Sequence, residues 1–218
     1  MIQRKWMIAA TLLISAMAAM AQVKTGIEVL RERNFDVLQG KRVGLCTNPT
    51  GVDRNLVSTI DILWEAENVN LVALYGPEHG VRGNIYAGDH VDNEVDPKTG
   101  LKMYSLYGKT SKPTKEMMDE VDVLVYDIQD IGCRSYTYIS TMGNLMEACQ
   151  EYGKELVVLD RPNPLGGEKI EGCLVEEGFE SFVSRFAWCT WFCGDCHLVS
   201  GISSHEALRD KTLQHLFW

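Results

Sequence analysis

The chain has 218 residues, 45% of them hydrophobic and 23% charged, enough for one domain with a sizeable core or for one domain and part of another. A formal charge of −9 and a pI of about 5.1 argue against a phosphate-backbone partner. There is no basic patch or RNA-binding signature, so nucleic acid is not an expected partner.

The first element is a targeting segment. Arg4 and Lys5 precede an apolar stretch from Trp6 to Ala18, which runs into Ala19-Met20-Ala21 before Gln22. A basic start, a short apolar middle and a small-residue ending predict a signal peptide over residues 1–21. The stretch is short for a membrane span, although an uncleaved anchor is the alternative. The expectation is an exported, periplasmic protein with no stable membrane anchor after cleavage.

The body of the chain, residues 22–184, alternates strands and helices. Val23 to Leu38 reads as an amphipathic helix with Ile27 and Leu30 inward. Arg42 to Cys46 is a strand, and a helix follows from Leu56 to Glu65, capped by Asn55 or Ser58. Asn68 to Tyr75 is the next strand, and Gly80 to Gly100 reads as a long loop of the functional or mobile kind. Lys102 to Tyr107 is a short strand, Thr114 to Asp119 a brief helix and Val121 to Asp127 a strand. Ser140 to Tyr152 is a helix with Met142, Leu145, Met146 and Cys149 at i, i+3, i+4, i+7 spacing. Glu155 to Leu159 closes the series. This alternation predicts an α/β doubly wound domain with a mainly parallel sheet. Its strands lack polar alternation, as strands covered on both faces do.

Three of these strands end in polar clusters, which a parallel sheet gathers at one edge, where open α/β folds bind ligands. Tyr75 leads to Gly76-Pro77-Glu78-His79-Gly80, a stiff turn on which a shielded carboxyl can act as a general acid. Simple solvation of Glu78 and His79 is the alternative. Asp127 and Asp130 flank the next exit. Such a pair can divide acid and base roles or bind sugar hydroxyls, while Asp127 also suits capping of backbone amides. Arg134 suits a carboxylate clamp or a salt bridge to one of those aspartates. Tyr136 and Tyr138 suit either a sugar ring or the core. Asp160-Arg161-Pro162-Asn163-Pro164 is a rigid polar exit, and Asn48 in Thr47-Asn48-Pro49-Thr50-Gly51 is of the same type. The chain contains neither G-x-x-x-x-G-K-[ST] nor G-x-G-x-x-G, so nucleotide cofactors are disfavoured. Seven cysteines in an exported chain invite disulfides, but the odd count and scattered positions of Cys46, Cys133 and Cys149 read as unpaired thiols.

Tyr75 to Gly80 (YGPEHG), Asp127 to Tyr138 (DIQDIGCRSYTY) and Leu159 to Gly167 (LDRPNPLGG) resemble the signatures of the exo-β-N-acetylmuramidases, glycoside hydrolase family 171, formerly a domain of unknown function. Gly44 to Gly51 is similar as well. The resemblance covers Thr25 to Val183. It implies a Rossmann-like N-terminal catalytic domain facing a smaller C-terminal domain, and release of terminal N-acetylmuramic acid from peptidoglycan fragments (muropeptides), with no metal or organic cofactor. By this resemblance Glu78 is the leading general acid with His79 beside it, and Asp130, then Asp127, orients the sugar or assists the second step. Arg134 or Arg161 suits the lactyl carboxylate, and Asn48, Tyr138 and Asn163 are sugar contacts. A non-catalytic muropeptide-binding module is the alternative reading.

The resemblance stops near Val183. Residues 185–218 hold three of the seven cysteines and three of the five tryptophans, and no domain is assigned to them. A frameshift, with loss of the C-terminal domain and impaired activity, is the expectation for this tail. Its Cys193-Gly194-Asp195-Cys196-His197 matches a c-type haem motif, and zinc at Cys189, Cys193, Cys196 and His197 is a comparable alternative. Both read as accidents of the tail.

Overall fold

The computed structural model describes residues 23–83, 94–108, 110–133, 135–166, 175–176, 178–179, 181–183 and, as backbone, 213–216. Seven strands form one sheet: β1 (Arg42–Thr47), β2 (Asn70–Gly76), β3 (Glu94–Val95), β4 (Lys102–Ser105), β5 (Val123–Asp127), β6 (Glu155–Leu159) and β7 (Leu213–Leu216). Their order is β3-β4-β2-β1-β5-β6-β7, and every pairing is parallel except β3 with β4. The helices are α1 (Gly26–Glu32), α2 (Thr59–Glu65), α3 (Lys115–Asp119) and α4 (Tyr138–Tyr152). The α/β, Rossmann-like arrangement agrees with the sequence.

Both faces of the sheet are covered. Val123 and Val125 of β5 join Ile27, Leu30, Ile60 and Leu63 of α1 and α2 in one core cluster. Leu124 and Tyr126, pointing the other way, join Met118 of α3 and Met142, Leu145, Met146 and Cys149 of α4. That two-sided burial is why the strands read as unbroken apolar runs. Between β1 and β2 the register shifts, with Val43 opposite Leu71 but Gly44 opposite Ala73. The extra residue, Val72, resets which face the end of β2 addresses. Leu74 consequently packs with α1 and α2 and Tyr75 with α3 and α4.

Some element boundaries differ from expectation. The opening helix stops at Glu32 because Asn34 and Phe35 take left-handed backbone (φ 52° and 53°), and the chain resumes as a 3-10 turn at Asp36–Leu38. At α2 the cap is Ser58, whose Oγ accepts the Ile60 N–H at 3.3 Å. The expected long loop contains β3, and within the unassigned tail Leu213–Leu216 lies beside β6. The signal-peptide region and the C-x-x-C-H motif lie outside the described residues.

Helix α1 meets the sheet without a side chain at Gly26. A Cβ there would stand 2.5 Å from Leu159 Cα and 2.6 Å from Asp160 N, and backbone atoms cannot rotate away. Gly26→Ala is therefore expected to cost about 1–3 kcal/mol, lowering Tm by roughly 2–4 °C per kcal/mol in a chain of this size. An unchanged melting midpoint would contradict this close approach.

Candidate active site at the carboxyl edge of the sheet

The chain runs from β1 outward to β2 and β4, then returns to β5 on the other side of β1. Loops leaving β1 and β5 thus diverge, which opens a crevice at the carboxyl ends of neighbouring strands. At that point Thr47 is paired with Asp127, and the Thr47 hydroxyl donates to the Asp127 carbonyl at 2.7 Å.

Glu78 leaves β2 on a tight turn closed by the Gly80 N–H donating to the Pro77 carbonyl at 3.0 Å. His79, third in the turn, has φ 73°, a conformation that costs a residue with a Cβ about 1–2 kcal/mol. Strain of this kind persists where surrounding structure imposes it, often at functional sites. Glu78 and His79 are half-buried while Pro77 and Gly80 are buried, so the turn is seated rather than merely solvated. The Glu78 carboxylate holds the phenol of Tyr107, on the exit of β4, above its ordinary titration range.

The β1 exit is buttressed from within. Asn48 is buried, and its Oδ1 accepts the Thr50 N–H at 2.9 Å and the Thr50 hydroxyl at 2.5 Å. Burial pushes the phenol of Tyr138, at the start of α4, upward; the Asn48 amide opposes that shift and the charge of Glu78 adds to it. Tyr136 stacks obliquely on Tyr138, ring centroids 6.3 Å apart.

Thr50 carries the network onward, its hydroxyl accepting the Gln129 N–H at 2.9 Å. The Gln129 amide in turn donates to the carbonyls of Asp130 (2.7 Å) and Pro162 (3.0 Å), tying the β5 exit to the β6 exit. The Asp130 carboxylate accepts the Gly132 N–H at 2.6 Å, and burial pushes its carboxyl above the usual carboxylate range. Gly132 in turn lies against the Asn163 side chain, where a Cβ would stand 2.5 Å from Nδ2. Asn48, Glu78, Asp130, Tyr138 and Asn163 thus belong to one edge, with Thr50 and Gln129 bridging its loops and Gly132 lying against Asn163.

Asp127 and Arg161 are placed differently. The Arg161 Nε donates to Asp127 Oδ1 at 2.6 Å and a terminal nitrogen to Oδ2 at 2.9 Å, with a further bond to the Val52 carbonyl at 2.8 Å. The Thr59 hydroxyl also donates to Asp127 Oδ2. Asp127 is fully buried and Arg161 nearly so. Asp127 follows Val123 and Val125 in the period-two alternation and points to the α1–α2 face, so the pair braces the strand ends from below. Beside the expectation that Asp127 orients the sugar and Arg161 binds its carboxylate stands this pairing, in which each side chain engages the other. Nor does Asp127 cap backbone amides; its donors are side chains. Arg134 lies outside the described residues.

Behind the Glu78 turn, the buried Asp96 accepts Arg82 Nε at 2.5 Å, together with the Thr99 N–H at 2.9 Å and hydroxyl at 2.7 Å. Arg82 and Lys98 also reach Asp61 of α2, at 3.2 and 2.7 Å. The Arg82 guanidinium holds the Asp96 carboxyl down at about 2. A depressed folded value stabilises the native state above the ordinary carboxylate range, and that contribution is lost as pH falls from about 4 through 2. Asp96→Asn is therefore expected to remove up to about 2 kcal/mol at neutral pH and to flatten the acid limb of the stability curve. Parallel urea melts at pH 7 and pH 2.5 measure it, and an equal difference at both pH values would contradict it.

Among the described residues no three His, Cys, Asp or Glu side chains gather as metal ligands. Cys46 and Cys149 are buried thiols and Cys133 an exposed one, none of them in a disulfide.

The family model for the N-terminal part of the exo-beta-N-acetylmuramidase NamZ matches residues 43–192. The chain belongs to this family. It is 54% identical over 165 residues to the peptidoglycan beta-N-acetylmuramidase NamZ of Bacillus subtilis (strain 168), an alignment covering 76% of this chain and 40% of that protein. Among solved structures, a DUF1343 family protein of Bacteroides fragilis NCTC 9343 is 59% identical with a TM-score of 0.81, across 89% of this chain and 50% of the other. A second protein of that family from the same organism is 32% identical with a TM-score of 0.73, across 90% and 52%. The chain spans about half the length of those structures and less of the curated relative.

Within this NamZ-type edge, the geometry adds residues that the sequence reading missed. Tyr107 lies in no polar cluster adjoining a long apolar strand, and only the pairing of β4 with β2 brings it to Glu78. Thr50 and Gln129 sit inside quoted motifs, but their bridging role needs three strand exits in register.

Proposed function

We propose that this chain carries the proton-transfer and sugar-binding edge of an exo-acting β-N-acetylmuramidase that releases terminal N-acetylmuramic acid from peptidoglycan fragments. The observation that carries the reading is the placement of Glu78. It stands half-buried on a strained turn, at the same carboxyl edge as a second carboxyl, Asp130, and the amide and phenol groups of Asn48, Tyr138 and Asn163. Two carboxyl groups in unlike surroundings suit the unlike duties of glycoside hydrolysis. Burial raises the Asp130 carboxyl, and Glu78 stands on its strained turn. Amides and phenols recognise hydroxyl and acetamido groups, and aromatic faces such as Tyr136 and Tyr138 suit the apolar face of a pyranose. Identity of 54% to a peptidoglycan beta-N-acetylmuramidase supports the choice of sugar. Arg134 is retained as the partner of the lactyl carboxylate, since Arg161 is occupied by Asp127. We also retain the exported, periplasmic location, where such fragments arise.

A chromogenic N-acetylmuramide tests the reading with this chain as it exists. Release of chromophore with free N-acetylmuramic acid as product supports it. Saturable binding of N-acetylmuramic acid without release would overturn the hydrolase reading for this chain and leave a muropeptide-binding module.

A further inference from the structure

We propose that Gln129 is a positioning residue for Asp130, a side-chain amide that clamps the β5 exit to the β6 exit and so fixes where the Asp130 carboxyl stands. The inference rests on the reading of Asp130 as one of the two working carboxyls and adds a residue to that site.

The sequence sets the need for a clamp. Strands β5 and β6 pair as far as Tyr126 opposite Val158, and the β6 exit then runs Arg161-Pro162-Asn163-Pro164. Proline has no N–H and a fixed φ, so this exit cannot extend the ladder beside the residues after β5. Ile128 is still buried in the core beneath α3 and α4. Gln129, half-buried, is the first residue beyond it, and its side chain supplies the missing link.

Each hydrogen of the Gln129 amide has its own acceptor, the Asp130 carbonyl at 2.7 Å and the Pro162 carbonyl at 3.0 Å. Exchanging the amide oxygen and nitrogen would set an acceptor against two acceptors, so the two carbonyls fix the orientation of the group. The Gln129 N–H meanwhile donates to the Thr50 hydroxyl at 2.9 Å. One residue therefore touches the exits of β1, β5 and β6.

Asp130 stands inside this clamp. Its carbonyl is one of the two acceptors, and its carboxylate accepts the Gly132 N–H at 2.6 Å. Gly132, at φ 69°, lies against Asn163, so the β5 and β6 exits also meet on the far side of Asp130 along the chain. Asn163 has supports of its own: its Oδ1 accepts the Leu165 N–H at 2.9 Å, and its carbonyl accepts the Gly166 N–H at 3.0 Å. Removing the Gln129 donors therefore frees the β5 exit, and Asp130 with it, while the turn after β6 stays formed.

The test uses Gln129→Met, which keeps the length and removes both donors, and Gln129→Glu, which keeps the shape but sets an acceptor against both carbonyls. The first readout is independent of turnover: backbone amide signals are followed by NMR. The expected result is a Gly132 N–H that shifts and exchanges faster in both variants, while the signals of α4 and of the β5–β6 ladder stay in place. An unmoved Gly132 signal overturns the proposal. So does collapse of the whole spectrum in both variants, which would make Gln129 a support of the entire fold. The second readout is hydrolysis of the chromogenic muramide, well below the melting midpoints. Each variant is expected to lower kcat by ~10–100-fold, the order of loss that a misplaced group produces, with KM changed less than about threefold. On an Asp130→Asn background Gln129→Met should add little further loss, because it acts through Asp130. Parent-like kcat in the single variants, or the full loss repeated on that background, overturns the proposal. Should the parent chain release no sugar while the Gly132 signal still follows Gln129, the hydrolase reading falls and Gln129 stands as the residue that holds Asp130.

Discussion

Replacing Glu78 by glutamine is expected to lower release of N-acetylmuramic acid by ~10²–10⁴-fold, the usual contribution of a positioned proton donor or acceptor. Glutamine has the shape of glutamate, so the turn has no steric reason to change. The side chain is half-buried at the strand edge, outside both core clusters. The melting midpoint should therefore stay within about 1–2 °C, consistent with a change below about 0.5 kcal/mol. The loss should appear in kcat more than in KM, because the proton moves only as the glycosidic bond breaks. Asp130→Asn is the informative companion. Its carboxyl is the one that burial raises, and a larger loss in Asp130→Asn than in Glu78→Gln would exchange the roles of the two residues. A Glu78→Gln rate within about threefold of the parent would remove Glu78 from the chemistry.

The second large effect concerns stability. Arg161→Met is expected to destabilise the fold by about 3–5 kcal/mol, the usual result of removing one partner from a buried ion pair. Asp127 would then lie fully buried with only the Thr59 hydroxyl among the side-chain donors that now surround it. The Val52 carbonyl would also lose its donor. Replacing both partners, as in Asp127→Leu with Arg161→Met, should recover much of the loss, because no uncompensated charge remains. Urea unfolding of the two single variants and the double variant measures the coupling directly. Additive losses would show that the pair does not act as a unit. Hydrolysis should fall in Arg161→Met as well, because the same pair braces the exits of β5 and β6.

The apolar runs made the strands and their shared direction legible, and the spacing of Met142, Leu145, Met146 and Cys149 marked the buried face of α4. Asn48, Glu78, Asp130, Tyr138 and Asn163 stood out for the same reason: each is polar and lies just beyond a strand end or opens the helix after one. Asp127 and Arg161 were equally visible as residues but not as a pair. They are 34 positions apart, and nothing in local pattern says that an arginine after β6 turns back beneath β5. The opening helix was read too long because the left-handed step at Asn34 and Phe35 leaves no mark in the apolar spacing. Tyr107 was overlooked because β4 is only four residues long and its exit carries no polar cluster.

Sequence alone determined the alternation of elements, the two-sided burial of the sheet and the family, since each is written in residues close together along the chain. The tertiary structure decided which polar residues face the crevice and which face each other. That choice depends on strand order, on the extra residue at Val72 and on pairings between segments far apart in sequence. A carboxylate at a strand end is attractive to substrate and to a neighbouring guanidinium alike. At Asp127 the arginine is close enough to win, while Glu78 stays at the strand edge on its own turn.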